Sequence, residues 1–350
     1  MTRQITLDGK KVGDGCKPYV IAEVSANHNG SIEKAKRIMA SAAENGADAV
    51  KLQTYTPDTI TIKSDRPEFK IKGGLWDGYT LWDLYNDAHT PYEWHEELFL
   101  HAADLGISCF STPFDDTAVD LLESLNVPLY KIASFEMTDI PLVERVASTG
   151  KPMIMSTGLA TLEEIENSLN AARNAGNGEI ILLHCISGYP TPLDQANLKL
   201  MLQLKNTFDV LVGLSDHTLD NIAAITAVAL GACVIEKHFT LDRSEGGADA
   251  DFSMEPPQLK DLCDYTKGAW QALGDGKRLS PSVQDSNRVF RRSVYSVAEI
   301  KEGETFTKEN IRCIRPGLGL PPEYFKDLIG KKAKTAVSYG TPLSKDHIAD

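Results

Sequence analysis

The sequence predicts a (β/α)8 barrel followed by a small second domain. Three observations carry that prediction. Eight short β-rich runs alternate with stretches of helical period over roughly the first 275 residues, a repeat suited to a barrel of about 250 residues. The first run leads into ANHNGS and not into the glycine fingerprint of a doubly wound dinucleotide fold, the main competitor. Polar residues gather at the C-terminal ends of the runs, where barrels keep their chemistry.

The expected strands are 19–25, 47–54, 107–112, 128–134, 152–157, 179–187, 210–216 and 232–239. Helical period fills 31–46, 90–106, 117–126, 141–150 and 161–176, and several of these stretches close on glycine, as helix C-termini do. Thr161 with Glu164 three residues on is a capping box. Residues 56–89 form a long insertion after the second strand, expected to be a lid or substrate loop. The barrel domain is expected over 1–275 and a polar linker over 276–290. Short β-runs, turn signals and one helix-like stretch at 321–330 then make a second domain over 291–350. About 60 residues is near the lower limit of independent stability, so this domain is expected to pack on something.

Composition narrows the function classes. A chain with 42% hydrophobic and 24% charged residues is an ordinary globular protein. A net charge of -13 argues against nucleic acid or an anionic membrane as partner. An anionic substrate would need local lysines or arginines to bind it against that field. No apolar run approaches the roughly 20 residues of a membrane span, and MTRQITLDGKKVGDG has no apolar signal region. The six scattered cysteines read as reduced thiols, and a cytoplasmic location is expected.

The strand ends supply the candidate site. The first strand closes with Glu23, Ser25, Asn27 and His28, and the second carries Lys51 and Gln53 on one face. Ser111 and Thr112 end the third strand, and Lys131 and Ser134 lie in the fourth. Ser156, Thr157 and Gly158 end the fifth; His184, Ser187 and Tyr189 follow on the sixth. Ser215, Asp216 and His217 close the seventh, and Glu236, Lys237 and His238 the eighth. Lysines in buried strands are costly unless paired. Lys51 and Lys131 therefore read as an anion clamp, as a Schiff-base nucleophile, or as partners of Glu23 or Glu236. His217 and His238 on neighbouring strand ends could share a divalent metal, and the residues do not choose among manganese, zinc, cobalt and magnesium. Lysines, hydroxyls and amides can hold a phosphorylated carboxylate, a metal can polarise a carbonyl, and a carboxylate can move protons. Together these fit carbon–carbon bond formation between a phospho-enol and an aldehyde.

In order along the chain, IAEVSANHNG, ADAVKLQTYTPDTIT, CFSTPFD, YKIASFE, MSTGLAT, SGYPTP, GLSDHT and EKHFTLDR resemble the sialic acid synthase family, and RPGLGLPP resembles that family's antifreeze-like (SAF) domain. The resemblance runs from about residue 18 to 345. SANH and the insertion FKIKGGLWDGYTLWDLYNDAHTPYEWH are most similar to the family's pseudaminic acid branch. The resemblance implies condensation of phosphoenolpyruvate with 2,4-diacetamido-2,4,6-trideoxy-L-altrose, with phosphate released by C–O cleavage. It implies a divalent metal on His217 and His238, polarising the aldehyde. Manganese is the first choice, with magnesium or cobalt as alternatives. Lys51, Thr112, Lys131, Ser187 and Ser215 match positions that hold phosphoenolpyruvate, with Ser134 and Ser156 among the hydroxyls beside them. Glu23 and Gln53 match rim residues near the reacting groups, and proton transfer is assigned to Glu23. Tyr189 matches a contact on the sugar side or the intermediate side, Asp249 matches the aspartate of a G-P-D motif, and Asn27 is expected to bind substrate. Arg315 matches an arginine that reaches a partner's site, which implies a homodimer with swapped C-terminal domains. Two departures stand out: Ser187 replaces a frequent asparagine, and GGADAD leaves either Asp249 or Asp251 for the family's aspartate.

Rival readings remain open. The same chemistry on another sugar would make an N-acetylneuraminate or legionaminate synthase. A Schiff-base aldolase would use Lys131 or Lys51 without a metal. A non-catalytic sugar binder would have no need of paired histidines.

Overall fold

In this computed structural model, residues 3–276 and 284–349 are described. The chain divides into two compact units, Met1–Asp275 and Gly276–Asp350. Of the expected linker, residues 277–283 lie outside the described residues, and Asp285–Phe290 is a short 3-10 helix.

The first unit opens with a hairpin, β1 (Gln4–Leu7) and β2 (Lys10–Gly13), turned through Asp8 and Gly9. Both turn residues have positive φ, 45° and 76°, which suits the Asp-Gly pair between the strands. Eight parallel strands then close a barrel: β3 (Tyr19–Glu23), β4 (Ala49–Thr54), β5 (Ser108–Pro113), β6 (Tyr130–Ile132), β7 (Met153–Ser156), β8 (Ile180–Cys185), β9 (Leu211–Asp216) and β10 (Val234–His238). All eight expected strands are present, each within a few residues of its expected bounds. The principal helices between them are α1 (Ile32–Glu44), the short α2 (Pro57–Ile60), α3 (Leu81–Ala88), α4 (His95–Leu105), α5 (Asp116–Ser124), α6 (Ile140–Ala147), α7 (Leu162–Asn174), α8 (Lys199–Phe208) and α9 (Ile222–Ala229), with α10 (Pro256–Leu273) after the last strand. Thr161 and Glu164 cap α7 reciprocally, at 2.7 Å and 3.2 Å.

Strand alternation sorts the side chains into two cores. Val20, Val50, Ile132, Met155 and Leu182 face the helices. Tyr19, Ile21, Ala49, Phe110, Ile154, Leu183 and Val234 fill the barrel interior, joined by Leu7 and Val12 of the hairpin. The lower interior is thus apolar and packed, which leaves the polar residues to the C-terminal mouth. The second unit pairs β11 (Ser293–Ser296) with β12 (Ile311–Ile314) and adds α11 (Phe325–Leu328). Its own small core includes Val294, Ile300, Phe306, Ile311 and Leu343.

Candidate functional site

Alternation decides which polar strand-end residues meet. Glu236 and His238 share the inward face of β10 with Val234, so Lys237 points outward. There it pairs with Asp216 at 2.8 Å and donates to the Asp220 carbonyl at 3.0 Å, tying the start of α9 to the barrel. His184 donates its Nε2–H to the Ala196 carbonyl, 2.7 Å away, and Ser111 meets Thr54 at 2.6 Å. The expectation that every polar strand end joins one rim is therefore corrected. Ser111, His184, Asp216 and Lys237 brace the barrel from outside, because a one-residue step reverses a strand side chain.

The inward set forms a buried charge cluster. Lys51 Nζ lies 2.6 Å from Glu23 and 3.7 Å from Glu236, and it donates to Thr112 at 3.2 Å. Lys131 Nζ lies 3.4 Å from Glu236, whose Oε1 also accepts from Ser215 at 3.2 Å. All four charged residues are at most 4% exposed, so each needs its partners. Burial favours a neutral Lys51, but Glu23 and Glu236 outweigh it and raise the ammonium's pKa. For Lys131 burial prevails and the pKa falls despite Glu236. Burial pushes the Glu23 carboxyl up to about 7, although Lys51 opposes it. Glu236 moves the other way, because Lys131 and Lys51 overcome its burial. Gln53 bridges Glu23 at 3.2 Å and Ser25 at 3.1 Å.

Hydroxyls line one side of this cluster. Ser134 and Ser187 Oγ atoms are 3.0 Å apart. Gly158 has a φ of +44°, and a side chain there would overlap Ser134 and crowd Ser187, so three strand ends converge at this point. Ser156 Oγ is buried there without a hydrogen-bond partner. Lys131 with four serines makes a pocket of donors suited to an anion.

The histidines lie on the other side, with ring centroids 5.4 Å apart. His217 Nδ1 meets the Ile186 carbonyl at 2.9 Å, which fixes the proton on Nδ1 and leaves Nε2 free as a ligand. His238 Nδ1 is buried without a hydrogen bond, 3.8 Å from Asp249 Oδ2. Burial lowers both imidazole pKa values, His238 especially, so both rings are neutral, the form that binds a metal. Among the described residues no third His, Cys, Asp or Glu completes a three-ligand cluster. The donor set therefore fits a divalent ion on two imidazoles with its remaining positions open. Asp249, not Asp251, stands beside them, held by Ser25 Oγ and by the Ala26 amide at 3.5 Å. Tyr189 stacks 4.4 Å from His217 and 5.1 Å from Phe252.

The remaining expected residues lie further out. Asn27 is fully buried and donates to the Phe239 carbonyl at 3.0 Å and to Ser253 at 2.8 Å, leaving its own Oδ1 unpartnered. Arg315 lies in the second unit, exposed and without an ion pair among the described residues. Two carboxylates emerge that sequence reasoning did not assign to the chemistry. Glu236 sits between both lysines, and the alternation within VIEKH places it on the face of His238. Glu136 follows Ser134 in the loop after β6. Its Oε2 is buried without a hydrogen bond, and burial raises its pKa to about 7. Only its neighbourhood in the YKIASFE run hinted at it.

Comparison with known proteins agrees with this geometry. Residues 38–278 match the model of the NeuB family and residues 291–349 that of the SAF domain. The chain is 46% identical to the pseudaminic acid synthase of Campylobacter jejuni, covering 94% of this chain and 96% of the relative. It is 44% identical to the pseudaminic acid synthase of Helicobacter pylori, covering 95% and 98%. Among solved structures, N-acetylneuraminic acid synthetase from Leptospira borgpetersenii, in complex with citrate, superposes with a TM-score of 0.73 at 31% identity, covering 82% of this chain and 95% of that one. The chain belongs to the NeuB family.

Proposed function

We propose that this protein is a pseudaminic acid synthase, condensing phosphoenolpyruvate with 2,4-diacetamido-2,4,6-trideoxy-L-altrose to give pseudaminic acid and phosphate. The observation that carries the reading is the two-sided mouth of the barrel, together with the two pseudaminic acid synthases among its relatives. Lys131 and the serines Ser134, Ser156, Ser187 and Ser215 receive the anionic groups of phosphoenolpyruvate, with Lys51 and Thr112 beside them. His217 and His238 hold a divalent ion, manganese in the first instance, with magnesium and cobalt as alternatives. When bound, that ion supplies Lewis-acid polarisation of the sugar aldehyde.

The chain's own groups supply the rest. Lys51 and Lys131 orient the enol so that its C3 forms the new bond to the aldehyde carbon. Glu23, whose carboxyl keeps a proton up to about pH 7, delivers it to the aldehyde oxygen as the carbon–carbon bond forms. Gln53 holds the carboxyl in place through its 3.2 Å bond to Oε1. Water then adds at C2, and the C2–O bond breaks to release phosphate. Asn27, Tyr189 and Asp249 bound the sugar side. With Glu23 carrying the proton, the ionised Glu236 at 3.7 Å keeps Lys51 an ammonium, unsuited to Schiff-base attack.

The protein acts as a homodimer with swapped C-terminal domains, Arg315 serving the partner's sugar site. Exposed apolar side chains support this. Phe135, Leu159, Leu193 and Leu219 stand on four successive loops at the barrel mouth, and Leu318 stands near Arg315. A cytoplasmic setting fits the six free cysteines, and no helix among the described residues is long and apolar enough to cross a membrane.

Phosphate release from phosphoenolpyruvate, with and without EDTA, tests the reading across the altro diacetamido sugar, its legionaminate-type isomer and N-acetylmannosamine. Release with the altro sugar alone, abolished by EDTA and restored by manganese, is expected. Release with a different sugar would move the substrate, and absence of phosphate release together with metal-independent borohydride trapping of Lys131 or Lys51 by pyruvate would replace the mechanism.

A further inference from the structure

A cavity of about 690 Å³ is lined by residues that follow the first, second and last strands of the barrel, among them Ala26, Trp76 and Asp251. The long insertion after β4 supplies one wall through Leu75, Trp76 and Leu84. Trp76 is tied toward the reaction centre. Its Nε1–H donates to the Ala248 carbonyl at 2.9 Å, and its ring lies 6.0 Å from that of Tyr189, the residue stacked on His217. The lining also includes Ala26, whose amide reaches Asp249 beside His238. The cavity and the reaction centre thus share their boundary.

Its lining has a definite chemistry. Asn86, Asp87 and Asp251 offer acceptors, and none of the lining residues is a lysine or an arginine. Two carboxylates without a cation repel phosphate and carboxylate groups, so the phosphoenolpyruvate end does not belong here. Leu75, Trp76 and Leu84 offer apolar surface to methyl groups. A neutral ligand with amide N–H groups to donate and methyls to bury matches both features.

We infer that this cavity is the subsite for the distal, acylated end of the sugar, with Trp76 as its specificity-determining residue. The inference rests on the synthase reading above. It selects an acetamido group and a deoxy methyl over hydroxyls, and it excludes a sugar phosphorylated at its far end. It also gives Asp251 a role distinct from that of Asp249: Asp251 reads the sugar's periphery, and Asp249 stands at the reacting centre.

The test compares kcat/KM for the diacetamido sugar with that for its analogue lacking the 4-acetamido group, in the parent enzyme, Trp76→Ala and Trp76→Phe. The KM for phosphoenolpyruvate is measured alongside. The expected result is a fall in the preference for the diacetamido sugar of roughly tenfold or more in Trp76→Ala. The sugar KM rises, the phosphoenolpyruvate KM stays within about twofold, and Trp76→Phe keeps most of the preference. Equal losses on both sugars, or a rise confined to the phosphoenolpyruvate KM, would overturn the subsite. If the parent turns over the diacetamido sugar and Trp76→Ala discriminates as well as the parent, the subsite alone fails. If the parent turns over neither sugar, the synthase reading fails and takes the subsite with it.

Discussion

Glu236 is the hinge of the charge cluster, and its removal gives the sharpest energetic test. It lies 3.4 Å from Lys131 and 3.7 Å from Lys51, with 4% of its surface exposed. At an effective dielectric of about 20, each such pair carries on the order of 5 kcal/mol of attraction. Glu236→Gln keeps the shape and an acceptor for Ser215 but removes the charge. Lys51 retains Glu23 at 2.6 Å, whereas Lys131 loses the carboxylate 3.4 Å away. Stranding a buried charge costs about 3–5 kcal/mol, or roughly 6 to 20 °C in Tm for a domain of this size. Burial already depresses the Lys131 pKa, and the variant depresses it further. The unfolded chain then binds more protons than the folded one, so the variant's stability rises with pH toward the ordinary lysine value of about 10.4. Glu236→Gln with Lys131→Met removes both charges and should recover most of the loss. Urea unfolding at pH 7 and pH 9, completed as a double-mutant cycle, reads these terms. A single-variant cost under about 1 kcal/mol, or a double variant no more stable than the single, would refute the buried pairing.

Other consequences follow from the same geometry. Because burial raises the Glu136 carboxyl to about 7, the folded state holds its proton longer than the unfolded chain, and stability falls as pH climbs from about 4.5 to 7. Glu136→Gln should therefore gain on the order of 3 kcal/mol over the parent at pH 8 and under about 1 at pH 5, by denaturant titration; an equal gain at both would contradict the buried carboxyl. His238→Ala should abolish manganese binding, read by the electron paramagnetic resonance of the free ion, and most turnover, with its melting temperature retained; undiminished binding would remove His238 from the ligand set. Arg315→Ala should raise the sugar KM more than the phosphoenolpyruvate KM, and light scattering should give a dimer. A monomer, or the reverse order of KM effects, would detach the tail from the sugar.

The barrel was legible because its eight strands carry continuous apolar runs and its helices carry caps and terminal glycines. The opening hairpin was not foreseen, although Asp8-Gly9 between two short β-runs is a turn signal. Within the mouth, Lys51, Lys131, Glu23 and the two histidines could be chosen because ionisable groups in apolar strands need a reason. Lys237 and Asp216 share that composition yet face outward, and only the register of β9 and β10 separates them from Ser215 and Glu236. Trp76 and Glu136 lie in connections, where no periodicity reports which way a side chain turns. Their roles depend on what the folded loops approach: the Ala248 carbonyl in one case, the lysines of the cluster in the other.

The central claim is that the chain joins phosphoenolpyruvate to an aldehyde and expels phosphate by breaking the carbon–oxygen bond. Phosphoenolpyruvate carrying ¹⁸O in its bridging position, turned over with the altro diacetamido sugar and manganese, tests it most directly. The account requires the label to leave in inorganic phosphate. Label retained at C2 of the sugar acid would mean cleavage at phosphorus and would contradict it.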